Sequence, residues 1–257
     1  MSIPTFYYSN AFAAGTLSGT SSDEANPVRR VSDSDRTLRY TLLDSVGPDV
    51  TTGMVDVTLA TASKAYTHFV MVSGYALSGW TLDVESEDTD GGNNANHQSY
   101  AMSGDEPFVL ALSGLTTARR VWRARMTSTS GITDSPYIYE MMLAKQYTFP
   151  SGFKPVIGVQ RTTIHNYQRL NVPGAAPFKF RLGADYERVS YSLVMPVTEV
   201  SGFISFIQEN DGGEPFWHVD DKSRGYWAEL RDMQVNFDDQ AGIYSFSITV
   251  QEIPLET

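Results

Sequence analysis

The sequence predicts a mainly β protein: a β-sandwich in the first half and an α+β domain, one helix packed on an antiparallel sheet, in the second. Three observations predict it. Short runs rich in β-branched and aromatic residues recur along the chain, and many of them alternate apolar with polar. Glycine, serine and threonine punctuate those runs. One stretch alone repeats apolar residues at three- and four-residue intervals.

In the first 150 residues the strand candidates are "TLRYTLL" (Thr37 to Leu43), "MVDVTLA" (Met54 to Ala60), "AYTHFVMVS" (Ala65 to Ser73), "WTLDVES" (Trp80 to Ser86), "PFVLALS" (Pro107 to Ser113), "RVWRARMT" (Arg120 to Thr127) and "YIYEMMLAKQYTF" (Tyr137 to Phe149). Seven strands suffice for a sandwich. From Pro150 to Pro177 four prolines interrupt the pattern, so the sequence divides into residues 1–150 and 151–257.

Beyond that division, "YERVSYSLVM" (Tyr186 to Met195), "PFWHV" (Pro215 to Val219), "GYWAELRDMQVNF" (Gly225 to Phe237) and "GIYSFSITVQEI" (Gly242 to Ile253) read as strands. The helix lies between Pro196 and Asn210, where Val197, Val200, Phe203, Ile204 and Ile207 form an apolar stripe that faces the sheet. Pro196 suits a first helical turn, and Asp211-Gly212-Gly213 supplies the stop. Phe216, Trp217 and Trp227, on the strands that follow, complete the packing and assembly candidates.

Composition narrows the function. The 257 residues carry a net charge of -11, which opposes a phosphate-backbone partner, because nucleic-acid binding needs a basic face. The one arginine-rich stretch, "ARRVWRARM" (Ala118 to Met126), alternates from Val121 and reads as a surface strand or subunit contact. With no cysteine there are no disulfides or thiolate chemistry, and folding in a reducing cytoplasm fits. No apolar run approaches the roughly 20 residues of a membrane-spanning helix, and "MSIPTFYYSN" has neither the basic start nor the apolar core of a secretion signal.

Two stretches have the residue types of a chemical site. "FISFIQENDGGEPFWHVDD" (Phe203 to Asp221) gathers Glu209, Asp211, Glu214, Asp220 and Asp221 around His218. Its acids fall in two turns separated by a strand, so convergence is not implied; they read as solvated turn residues, with Phe216 and Trp217 in packing. "EDTDGGNNANH" (Glu87 to His97) opens like an oxygen-ligand calcium loop, but the twelfth position from Asp88 is Ser99 where a bidentate glutamate is needed. It reads as an exposed loop, with a weak calcium or subunit-contact role as the alternative. His68, His97, His165 and His218 are far apart, and no nucleophile elbow, phosphate loop or dinucleotide fingerprint is present. The chain therefore reads as no enzyme and as needing no cofactor.

Two resemblances add to this reading. The segment "LSGTSSDEANPVRRVSDSDRTLRY" (Leu17 to Tyr40), with Asn26-Pro27, Asp33, Asp35 and Arg36, and the Gly74 to Gly79 turn resemble the opening of galactose-binding-like, discoidin-type jelly rolls over about 110 residues. That resemblance implies a jelly-roll sandwich that binds glycans in some members and scaffolds in others. The second half, "RVSYSLVMPVTEVSGFISFIQENDGGEPFWHV" followed by "GYWAELRDMQVNFDDQAGIYSFSITVQEIP", resembles the tail-tube-like strand-helix-strand units of distal tail and baseplate proteins of long-tailed bacteriophages. It implies a virion structural protein assembled in the host cytoplasm. Its partners would be itself in a ring-like homo-oligomer, other tail and baseplate proteins, and a host-surface glycan. The alternative is a carbohydrate-binding module of an adhesive or receptor-binding protein; a glycan hydrolase would need two carboxylates placed across a cleft.

Overall fold

The structure, a computed structural model, describes residues 3–21, 24–25, 27–33, 39–42, 52–63, 65–87, 94–128, 136–150, 159–165, 167–170, 178–181, 183–210, 214–238 and 242–253. It is mainly β and forms two compact units, one of Tyr7–Gln146 and the other of Met1–Phe6 with Tyr147–Thr257. The expected division at 150/151 moves to 146/147, and the first six residues join the second unit. The reason is local: Phe6 is fully buried, 5.4 Å from Phe149 and 4.8 Å from Phe206.

The strands of the first half are β1 (Thr5–Tyr8), β2 (Thr16–Gly19), β3 (Tyr40–Thr41), β4 (Thr52–Ser63), β5 (His68–Tyr75), β6 (Trp80–Glu87), β7 (Ala95–Ala101), β8 (Phe108–Ala111), β9 (Arg119–Ser128) and β10 (Tyr137–Thr148), with one helical turn α1 (Ala11–Ala14). Within Tyr7–Gln146 they make a sandwich. One sheet runs β2-β4-β9-β6-β7, and the other is built from β10, β5 and β8, with β3 also on β10. The pairings β2–β4, β4–β9, β6–β9, β6–β7, β5–β8, β5–β10 and β3–β10 are antiparallel.

Alternation explains the core. On β9, Trp122, Ala124 and Met126 turn inward while Arg123 and Arg125 turn out, as a period of two requires. They meet Val55 and Val57 of β4, Leu82 of β6, Phe69 of β5 and Leu143 of β10 in one buried cluster. Each such side chain contributes about 1.5–3 kcal/mol by leaving water.

The second unit holds β11 (Val159–Ile164), β12 (Tyr167–Leu170), β13 (Phe178–Arg181), β14 (Tyr186–Pro196), α2 (Val200–Glu209), β15 (Phe216–Val219), β16 (Gly225–Asp238) and β17 (Ile243–Glu252). Its sheet runs β11-β14-β17-β16-β15, and β12 and β13 form a separate hairpin. The stretch read as a boundary, Pro150 to Pro177, thus contains β11 and β12. Polar β11, "VQRTTI", pairs on β14 and has all six residues half-buried or exposed without an apolar face, so it leaves no hydrophobic period to read.

The helix differs from its expected stripe. Val200, Phe203 and Phe206 are its buried residues, whereas Val197 is 51% and Ile204 37% exposed and Ile207 is half-buried. Phe203 sits 4.5 Å from Phe246 and Phe206 stacks on Tyr147 at 5.5 Å. Because successive residues are rotated by about 100°, seating these rings turns Ile204 outward. Pro196 ends β14, and Glu199 precedes the helix. The expected stop at Asp211-Gly212-Gly213 lies outside the described residues.

Candidate functional site

The acidic stretch resolves into a buried anchor. Asp220 is fully buried and Asp221 is 7% exposed, so the reading of both as solvated turn acids is corrected. Their counterions come from elsewhere in the sequence. Arg161 on β11 donates to Asp220 at 3.0 Å and also pairs with Asp221. Arg224 donates through Nε to Asp220 at 3.0 Å and through Nη2 to Glu187 of β14 at 2.6 Å.

The backbone N–H groups of Lys222 and Arg224 also donate to Asp220 Oδ1, closing the β15–β16 turn. Burial raises the Asp220 pKa, but these N–H donors and the two guanidinium groups outweigh it and hold the carboxyl below its usual range. A hydrogen bond from Arg224 lowers Glu187 in the same way. Glu209 and Glu214 are exposed, and Asp211 lies outside the described residues.

His218 is equally occupied. It is fully buried, stacks on Phe6 at 4.5 Å, donates to the Thr5 carbonyl and accepts from the Tyr191 hydroxyl. Burial pushes its pKa down to about 3. Phe216, Trp217 and Trp227 are buried, with 0%, 5% and 2% exposure, and Trp217 pairs with Trp227 across the β15–β16 ladder. This neighbourhood holds a hairpin corner rather than opening to a substrate.

The arginine-rich strand is compensated too. Arg123 donates to Asp56 at 2.8 Å and to Glu87 at 3.0 Å, and Arg125 meets Glu85 at 2.5 Å. The Asp56 hydrogen bond leads the upward shift of the Arg123 pKa. β9 is central in its sheet, flanked by acidic β4 and β6. Among the remaining histidines, buried His97 accepts from Ser86 at 2.6 Å and donates to the Ser113 carbonyl. Ser86 is itself fully buried, so this serine-histidine pair serves packing. Exposed His165 pairs with Asp185. Most of the calcium-like loop, residues 88–93, lies outside the described residues; among those described, no three His, Asp or Glu side chains gather as a metal needs.

What the sequence reading missed lies at one end of the sandwich. Tyr75, at the end of β5, is 49% exposed. It pairs in register with Tyr137 at the start of β10, their ring centroids 6.0 Å apart, and the Arg39 guanidinium lies 3.9 Å from the Tyr137 centroid. The turn after Tyr75 is braced: Leu77 N–H donates to Asp105 at 2.7 Å, and a Cβ on Gly74 would meet Leu77 Cδ1 at 2.2 Å. The guanidinium covers one face of the Tyr137 ring, and the exposed Tyr75 ring beside them offers an apolar surface next to hydrogen-bond donors. The "GYALSG" turn was visible in the sequence, but its partners Arg39 and Tyr137 were not.

No protein-family model matches the chain, and no curated protein matches it. Solved structures similar to parts of it include two chitosan-binding modules of a chitosanase/glucanase from Paenibacillus sp. IK-5. Module 1 is 14% identical with TM-score 0.41 over 55% of this chain and 99% of its own; module 2, in complex with chitotriose, is 12% identical with TM-score 0.41 over 54% and 99%. The family 32 carbohydrate-binding module of Clostridium perfringens NanJ, in complex with galactose, is 11% identical with TM-score 0.39 over 56% of this chain and 100% of its own.

Proposed function

We propose that the protein is a non-catalytic glycan-binding protein, and that its sandwich unit takes a saccharide ring on the exposed face of Tyr75, beside Tyr137 and Arg39. The observation that carries this reading is the exposure of Tyr75 next to a second tyrosine and a guanidinium. The C–H face of a pyranose is apolar and stacks on an aromatic ring, while its hydroxyls need donors and acceptors at the ring's edge. The buried state of His218, Asp220 and Ser86 supports a binding role over hydrolysis, because a general acid or base must reach its substrate. A panel of immobilised neutral glycans tests it. Wild-type protein retains a subset, and Tyr75→Ala loses them without a change in melting temperature; retention of none, or equal retention by Tyr75→Ala, contradicts the reading.

A second reading is favoured by a different observation: a virion structural protein of a phage tail tip that assembles through its second unit. β15 pairs with β16 only over Gly225–Ala228, so from Glu229 to Asp238 β16 has β17 on one side and no strand on the other among the described residues. Met233 and Val235 on that stretch are 38% and 45% exposed. An apolar open edge invites strand pairing with another chain. Mass measurement across a concentration series tests it: association that Val235→Lys abolishes supports it, and a monomer at every concentration counts against it.

A further inference from the structure

The sheet of the second unit carries an open groove of about 540 Å³ on the face away from its buried side chains. Three strands build it. On β14, Tyr186, Arg188 and Ser190 alternate with buried Val189 and Tyr191, and the register sets Arg188 opposite Gln251 and Ser190 opposite Thr249 on β17. A register shift in β16 between Leu230 and Asp232 inserts one extra residue, and Arg231 and Asp232 close the remaining side.

Arg188 is the unusual member. Arg161, Arg224, Arg123, Arg125 and Arg231 each have a carboxylate partner. Among the described residues Arg188 has none; it donates once, through Nη2 to Gln251 Oε1 at 2.8 Å, and its Nε is covered without a hydrogen-bond partner. An arginine left half-buried and uncompensated in a chain of net charge -11 is costly, since the acids that could neutralise it are plentiful. The groove also presents a hydroxyl pair, Ser190 and Thr249 at 2.9 Å, and the exposed Asp232 carboxylate. Its volume lies within the roughly 300–1,000 Å³ of small-molecule sites.

We propose that this groove binds a hydroxylated carboxylate, a sugar acid, with the ligand carboxylate on Arg188 and ligand hydroxyls on Ser190, Thr249 and Asp232. A carboxylate supplies the counterion that the protein withholds from Arg188, and a guanidinium holds it by charge-assisted hydrogen bonds. Hydroxyls match the neutral donors and acceptors of the two strands. The site is separate from Tyr75 and does not depend on the glycan reading.

The test is a titration of the full chain with galacturonate and glucuronate, and with galactose and glucose as uncharged controls, followed by calorimetry or resonance shifts. The uronates bind saturably and the neutral sugars at least about tenfold more weakly, as loss of a charged contact implies. Arg188→Gln and, separately, Thr249→Val each weaken uronate binding about tenfold, while Tyr75→Ala leaves it unchanged; the Thr249 variant keeps the test open should Arg188→Gln fail to fold. No saturable uronate binding, neutral sugars bound equally, binding indifferent to both groove variants, or binding lost in Tyr75→Ala would each overturn the proposal.

Discussion

The Tyr191 hydroxyl donates to Nε2 of His218 across 2.7 Å, while Nδ1 of the same ring donates to the Thr5 carbonyl at 3.1 Å. One neutral imidazole therefore joins β14, β15 and β1. Its pKa is about 3 when folded against an ordinary 6.5, chiefly because burial disfavours the charged ring. Between those values the unfolded chain takes up a proton that the folded protein refuses, so stability falls as pH drops from about 6.5 towards 3. Asp220, held below the usual carboxylate range, loses its contribution in the same direction at lower pH. Unfolding free energies from urea titrations between pH 7 and pH 4 should decline by a few kcal/mol, and His218→Gln should flatten that slope. A flat wild-type profile contradicts the account.

Asp220→Asn should destabilise by about 3–5 kcal/mol, because it strips one partner from a buried network and leaves Arg161 and Arg224 under-compensated. Glu214→Gln, at an exposed position, should change stability by about 0.5 kcal/mol or less. Chemical denaturation of the two variants separates a structural anchor from solvated charge.

On the helix, Phe206→Ala should cost about 3–5 kcal/mol, since the ring fills the space between Phe6 and Tyr147. Ile204→Ala should cost about 1 kcal/mol or less. Equal melting shifts for the two would mean that the other helix face is the packed one.

Gly74→Ala should destabilise the sandwich by about 1–3 kcal/mol, because the new methyl collides with Leu77 beneath the turn. The same shift moves Tyr75, so glycan retention should fall with it. Full retention in a folded Gly74→Ala protein would show that this turn does not position the site.

The sandwich strands and the single helix were legible because their periods of two and 3.6 survive in the sequence, as in Val121 to Met126. What escaped was set by distant partners. Asp220 looked like any turn acid because Arg161 lies 59 residues away, and Ile204 looked as apolar as Phe206 because a stripe does not reveal which ring fills the core. β11 and β12 carry too little hydrophobic contrast to stand out between prolines. The tyrosine pair was hidden for the same reason as the salt bridges: Tyr75 and Tyr137 meet only through the β5–β10 register.

The central claim is that Tyr75, Tyr137 and Arg39 form a saccharide platform. Resonance mapping during titration with neutral hexoses and N-acetylhexosamine oligomers tests it most directly. The account predicts that a binding sugar shifts the signals of Tyr75, Tyr137 and Arg39 first and saturably, with transfer of magnetisation from the Tyr75 ring to the sugar. Shifts centred elsewhere in the sandwich unit, or no shift with any sugar, would contradict it.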